Sequence, residues 1–291
     1  MSKTPDFVDA MKVTVLMDDF AGYDNPYLAQ HGLALFAEIF RGNKKTCILL
    51  DTGQKTEPLL HNMKLTGISP RDIDVIFLSH CHYDHTGGLE GILAEMDREV
   101  PIVAHPLLFR ETFSLNPVIK PIGLGLTRDK LMALGGRPTL VKEPFSLLPG
   151  VISSGVIKRT SAFEGKGIGT YNLEEGRLTP DPISDDLSLY INLKNRGLFV
   201  LTGCSHAGII NILQHGTEVT GVPKVCGLMG GLHLLKASGE DVDRTAAEMA
   251  RYEPDHIWAG HCTGLAALGK LAQAFPRSFS QLQVGRELHL Q

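Results

Sequence analysis

Short apolar runs recur along the chain, and each gives way to a small residue and then a polar one. Residues 46–50 lead into Asp51, Thr52 and Gly53, and residues 73–78 lead into Ser79 and His80. Residues 197–201 lead into Gly203, Cys204 and His206, 224–229 into Gly230, Gly231 and His233, and 256–259 into Gly260 and His261. Near-continuous apolar segments of this length predict strands buried on both faces. Several strand ends that hand His or Asp to one edge predict a site presented by a rigid sheet. Helical stretches alternate with them at 57–65, 88–96, 206–215, 242–252 and 263–275. With further strand-like runs near the N-terminus, this alternation predicts an α/β layered fold in one domain spanning 1–291.

Residues 101–182 break the pattern. Pro117, Pro121, Gly123, Gly125, Gly135, Gly136, Pro138, Pro144 and Pro149 punctuate them, and a helix is expected only near 128–134. The segment reads as an insertion or lid over the core.

Composition narrows the function classes. Of 291 residues, 43% are hydrophobic and 21% charged, which is ordinary for a globular chain. Lys plus Arg number 28 and Asp plus Glu 32, so the formal charge is −4, and no basic field is available for nucleic acid. No apolar run approaches the ~18 residues of a membrane span. The start of the chain carries Asp6 and Asp9 and lacks the pattern of a secretory leader, so a cytoplasmic protein is expected. The five cysteines, at 47, 81, 204, 226 and 262, are odd in number and irregularly spaced, which fits reduced thiols rather than a disulfide framework. The oligomeric state has no signature in the sequence.

Candidate chemistry concentrates in Ser79, His80, Cys81, His82, Tyr83, Asp84, His85, Thr86, Gly87 and Gly88. His80 and His82 are two apart, a spacing that puts both imidazoles on one side at a strand end. Asp84 and His85 turn into the next helix, and Gly87 and Gly88 permit a tight turn. Three imidazoles and a carboxylate in six residues suit zinc or another borderline divalent ion, with manganese or iron also compatible.

These residues resemble the signature of the metallo-β-lactamase-fold superfamily. Asp51 matches the acidic residue that precedes the signature there, and His261 matches the last ligand. The resemblance runs from about Val13 to the helix after His261. It implies a four-layer αββα sandwich with a one- or two-metal site at one edge. It assigns His80 and His82 to a first metal, and Asp84, His85 and His261 to a second. A narrower resemblance rests on His31 to Leu35, Thr202 to Gly208, Met229 to Leu234 and Gly260 to Gly264, in that order. Together they resemble the branch of metal-dependent hydrolases related to 7,8-dihydropterin-6-ylmethyl-4-(β-D-ribofuranosyl)aminobenzene 5′-phosphate synthase.

The chain departs from the superfamily pattern at one strand end. Most members have a Gly-His ligand before that strand and a metal-bridging Gly-Asp after it. Here the strand runs into Gly203 and Cys204, and no histidine lies between His105 and His206. His206 is the simplest replacement, completing a three-His set with His80 and His82, its second ring nitrogen donating to a carbonyl or carboxylate. Cys204 then stands where the bridging Asp would be, as a thiolate ligand or as a small buried residue. His233 is expected either as a ligand or as a hydrogen-bonded neighbour of one, and His31 as a candidate for the metal or the lining of the site. Asp51 is expected to hold the histidine loop by hydrogen bonds. Cys262 is read as a packing residue, and His61, His105, His215, His256 and His289 as surface or core histidines.

A divalent ion lowers the pKa of water bound to it to about 7 and polarises phosphoryl or carbonyl oxygens. The expected function is therefore a hydrolase acting through metal-bound hydroxide on a phosphorylated or pterin-like small molecule, with Asp84 orienting the water. The same residues serve a transferase that joins a dihydropterin to an aminobenzene ribosyl phosphate. A protein of this fold that binds a metabolite without turnover is the third reading.

Overall fold

The computed structural model describes residues 5–291, so the first four residues of the expected domain lie outside the described residues. Two seven-stranded sheets form the centre. One has the order Glu287–Leu290, Ala10–Met17, Ala34–Arg41, Lys44–Leu50, Val75–Phe77, Val100–Ala104, Gly136–Leu140. The other runs Phe279–Gln281, His256–Gly260, Val225–Gly231, Gly197–Thr202, Ser188–Leu193, Val151–Ser153, Phe145–Leu148.

Alternation of side chains explains why these strands read as unbroken apolar runs. Successive residues of a strand point to opposite faces. Val13, Leu35, Ile48, Leu50 and Phe77 share one buried cluster with Leu189, Ile191, Phe199, Leu201 and Met229 of the other sheet. Their neighbours Phe36, Leu49 and Ile76 turn outward to a second cluster under the helices Thr56–Thr66 and Leu89–Met96. Leu198, Val200, Leu228 and Ile257 do the same under Ile209–Thr220, Gly239–Ala250 and Leu265–Ala274. The central strands of each sheet are buried on both faces, giving the layers helix, sheet, sheet, helix.

Strand direction fixes where the chemistry collects. Lys44–Leu50, Val75–Phe77 and Val100–Ala104 are parallel, as are Gly197–Thr202, Val225–Gly231 and His256–Gly260. Their C-terminal ends carry Asp51, Ser79, Cys204, His233 and His261. Ser188–Leu193 is antiparallel to Gly197–Thr202, with Ser188 opposite Thr202, so its beginning lies at the same edge.

The irregular segment is divided. Val100–Ala104, Gly136–Leu140, Phe145–Leu148 and Val151–Ser153 are members of the two main sheets, so residues 101–182 are not an insertion throughout. Phe145–Leu148 and Gly136–Leu140 are terminal strands with little full burial, which deprives them of the apolar signature. A separate four-stranded sheet of Arg177–Pro180, Thr170–Glu174, Thr112–Ser114 and Lys120–Pro121 does fall inside the segment. The expected helix at 128–134 is Arg128–Ala133. The helix expected from His206 starts later, at Ile209, because Gly208 precedes it at φ 95° and turns the chain.

Candidate metal centre

Asp51 leaves its strand at φ 60° and its carboxylate organises the histidine loop. Oδ1 accepts the Ser79 backbone N–H at 2.8 Å, and Oδ2 accepts the Ser79 hydroxyl at 2.7 Å. His85 Nδ1 lies 2.6 Å from the same Oδ2. The single hydroxyl proton of Ser79 goes to Asp51, so the contact of 2.9 Å between Ser79 Oγ and His80 Nδ1 has the imidazole as donor. A carboxylate only accepts, so His85 Nδ1 donates as well. Both rings therefore carry the proton on Nδ1 and turn a free Nε2 lone pair inward.

His80 Nε2 is 3.0 Å from His82 Nδ1 and 3.3 Å from His206 Nε2. One ring nitrogen from each of these three buried residues falls within 4.8 Å of the others. Burial, with the neighbouring imidazoles, holds His80 and His206 well below the usual histidine range, and His82 falls to about 4. The rings are neutral, the form that ligates a cation. His82 Nε2 and His206 Nδ1 have no hydrogen-bond partner among the described residues. His80 Nε2 offers a lone pair, and the buried, unpartnered nitrogens of His82 and His206 are left for a cation, so this donor set fits a divalent ion.

A second group adjoins it. Asp84, His85, Cys204 and His261 each place a donor atom within 4.8 Å of the rest. His85 Nε2 lies 3.1 Å from Cys204 Sγ. Asp84 Oδ2 lies 3.5 Å from His85 Nε2, 3.3 Å from His261 Nε2 and 3.4 Å from His31 Nε2. Burial pushes the Asp84 carboxyl up, but His85 and His261 outweigh it and hold the group well below the carboxylate range. Burial raises the Cys204 thiol well above its ordinary value, with Cys262 and Asp84 adding to it. His261 Nδ1 is 2.9 Å from Asp19 Oδ1, so its Nε2 also faces the group unprotonated when the ring is neutral.

The sequence reading missed several supports. Asp19 links His261 and His31, whose Nδ1 lies 3.0 Å from Asp19 Oδ2. An apolar strand ending at Met17 and followed by two acids was the available signal. Asp185 Oδ2 accepts the Cys81 N–H between the paired histidines, and Asp186 Oδ2 accepts the Ala207 N–H beside His206. Among the described residues the second nitrogen of His206 has no acceptor, so the expected donation is not made there; the ring packs on His233, at 4.4 Å between centroids. Cys262 is more than packing, since its sulfur accepts the His233 N–H at 3.3 Å beside Cys204. The glycines of the loop also act differently from expectation. Gly87 and Gly88 have ordinary negative φ; a Cβ at Gly87 would lie 2.0 Å from the Gln54 carbonyl oxygen, so close backbone approach is what requires glycine. The remaining histidines lie elsewhere: His61 bonds Pro26, His215 bonds Ser154, His105 caps a turn, His289 pairs with Glu287, and His256 begins the strand His256–Gly260 at the end away from the site.

Both groups open into a cavity of about 1050 Å³. Tyr83, Phe163 and Leu265 line it together with Lys120, Lys166 and Lys236. Lys120 Nζ sits 4.4 Å from the centre of the Tyr83 ring. Residues 163–170 form part of the wall, pinned where Glu164 accepts the N–H groups of Ile210 and Asn211 at 3.1 and 2.7 Å.

Residues 35–155 match the family model of the metallo-beta-lactamase superfamily. Over 284 residues the chain is 39% identical to the 7,8-dihydropterin-6-methyl-4-(beta-D-ribofuranosyl)-aminobenzene-5'-phosphate synthase of Methanocaldococcus jannaschii, covering 96% of each protein. A solved metal-dependent hydrolase of the beta-lactamase superfamily has the same fold, with a TM-score of 0.81 at 23% identity, over 96% of this chain and 99% of that one. A diphosphatase from the PhnP family shares the fold more loosely, with a TM-score of 0.54 at 12% identity, over 97% and 98%. The chain belongs to the metallo-beta-lactamase superfamily, in the branch that includes the Methanocaldococcus jannaschii synthase, and is an enzyme of that fold.

Proposed function

We propose that the chain is a metal-dependent hydrolase of a phosphorylated or pterin-like small molecule, holding two divalent ions, zinc first among the candidates. The convergence of three neutral imidazoles from His80, His82 and His206 carries this reading. In it those three residues hold one ion, and Asp84, His85, His261 and Cys204 hold the other. When bound, such ions supply hydroxide at neutral pH and polarise a phosphoryl oxygen. Asp84 is the catalytic carboxylate, kept ionised by His85 and His261 so that it can orient the attacking water. Asp51 fixes His80, through Ser79, and His85. Lys120, Lys166 and Lys236 offer charge to a phosphate, and Tyr83 and Phe163 offer flat surface to a ring. The cavity suits one small molecule of this kind. The net charge of −4 and five unpaired buried thiols support a cytoplasmic enzyme with no nucleic-acid or membrane partner. No helix among the described residues is long and apolar enough to cross a membrane.

One observation favours a second reading. Identity of 39% over nearly the whole length of a named synthase supports a transferase joining a dihydropterin to an aminobenzene ribosyl phosphate. Zinc-, manganese- and iron-loaded protein should be assayed on phosphomonoesters, phosphodiesters and lactones, and separately for that coupling. Hydrolysis lost in both His82→Ala and Asp84→Asn supports the first reading; coupling without hydrolysis replaces it with the second. Elemental analysis should find one ion fewer in His82→Ala and, independently, in His261→Ala. Full metal content in either variant would overturn the corresponding ligand set.

A further inference from the structure

Cys204 belongs to two donor sets at once. Beside Asp84, His85 and His261, its sulfur also lies within 4.8 Å of the Cys262 sulfur and of a ring nitrogen of His233, and those two lie within 4.8 Å of each other. We propose that Cys204, His233 and Cys262 form a third metal position, rich in thiolate and selective for thiophilic ions, with Cys204 shared between it and the neighbouring site. The inference goes beyond the two-ion reading above and does not require both of those ions.

The backbone holds these donors in place without a metal. Residues 231–235 and 262–263 are clamped together by three contacts. The Leu232 N–H donates to Thr263 Oγ1 at 3.0 Å, the Leu235 N–H to the Cys262 carbonyl at 3.1 Å, and the His233 N–H to Cys262 Sγ at 3.3 Å. An N–H aimed at a sulfur is the outer support that a thiolate ligand uses. Gly231 leaves the space that the sulfur occupies, since a Cβ there would come within 2.6 Å of it. His233 and His261 both sit at positive φ, 49° and 46°, a conformation uncommon for residues with a Cβ and typical of functional sites. His233 Nδ1 is buried with no hydrogen-bond partner among the described residues.

Donor chemistry then selects the ion. Two sulfurs and one imidazole suit zinc, cadmium or copper(I), whereas magnesium and manganese prefer oxygen. Binding displaces the proton from each thiol, so ions enter as protons leave. All three residues line the cavity, which leaves the fourth coordination position facing the space that substrate would occupy.

Cadmium alone serves as the probe. Metal-free protein is titrated with it, following ions bound per chain and the ultraviolet charge-transfer band of sulfur bound to cadmium. The wild type should bind three ions. Cys262→Ala should bind one fewer and lose about two-thirds of the band, two of the three sulfur–cadmium bonds, because the shared Cys204 keeps only its bond to the neighbouring ion. Cys262→Ser keeps the side-chain volume and should show the same loss, which separates ligation from damage to the fold. His82→Ala should lose a different ion and keep the whole band. If both Cys262 variants match the wild type in stoichiometry and band, the third position does not exist. If the wild type binds a single ion that disappears in Cys262→Ala, the third position stands and the two-ion reading falls.

Discussion

Arg110 reaches Asp185 with Nη1 at 2.6 Å, and the Asp185 oxygen it contacts also accepts the Cys81 N–H at 2.9 Å. The guanidinium is 9% exposed and binds Asp181 as well, through Nη2 at 2.8 Å. Asp181 in turn accepts the Thr112 hydroxyl, and Arg110 Nε reaches Asn172. One buried cation thus ties the small sheet to the backbone between His80 and His82. Breaking a buried pair leaves uncompensated charge and costs about 3–5 kcal/mol. Arg110→Leu strands two carboxylates, so denaturant unfolding should show a loss of at least that order. A loss under about 1 kcal/mol, the scale of an exposed pair, would mean the network is hydrated and not structural.

The relay from Asp51 through Ser79 to His80 makes a sharper test, because Asp51 reaches His85 directly but His80 only through the hydroxyl. Ser79→Ala should weaken the ion of the three-His group by about 10–100-fold, the usual cost of losing an outer hydrogen bond to a ligand. The ion beside Asp84 should be affected much less. Asp51→Asn should weaken both. Competition with a chromophoric chelator reads the two affinities, and equal weakening of both ions in Ser79→Ala would contradict the relay.

The parts of this site that were legible in the sequence are those that follow parallel strands. Asp51, His80, Cys204, His233 and His261 each come after an apolar run, and parallel neighbours bring such ends to one edge. Asp185 and Asp186 were passed over because they precede Ser188–Leu193, and an antiparallel strand delivers its beginning to that edge. Arg110 lay hidden for another reason. Its segment has no periodicity, and its role rests on partners 71 and 75 positions away, at Asp181 and Asp185. The loss of signal in 101–182 has the same origin: Phe145–Leu148 pairs on one side only and stays half-exposed, so nothing forces an apolar pattern on it. Gly203 illustrates a requirement that no pattern encodes. A Cβ there would lie 2.1 Å from Ser79 Oγ, and so the two sheets can meet at the relay only with glycine at that strand end.

Asp186 supplies a test in pH. It is 2% exposed; Oδ2 accepts the Ala207 N–H at 2.8 Å, while Oδ1 has no hydrogen-bond partner among the described residues. Burial pushes its carboxyl from 3.8 up to about 7, against the pull of the Ala207 N–H. The folded chain therefore holds a proton that the unfolded chain releases between those two values. Where the folded state binds more protons, unfolding free energy falls as pH rises. Below 3.8 the group contributes no difference; through the window the cost grows, and above about 7 it is complete. Asp186→Asn keeps an acceptor for Ala207 and cannot ionise. Relative to the wild type, the variant should gain stability steadily across that window and hold a level advantage above it. At about 1.4 kcal/mol per pH unit, that advantage is on the order of 4 kcal/mol. The comparison belongs on metal-free protein, because bound cations beside His206 would favour the ionised carboxylate. Urea unfolding of both proteins through the window is the measurement, and an advantage that does not change with pH would show that Asp186 titrates outside it.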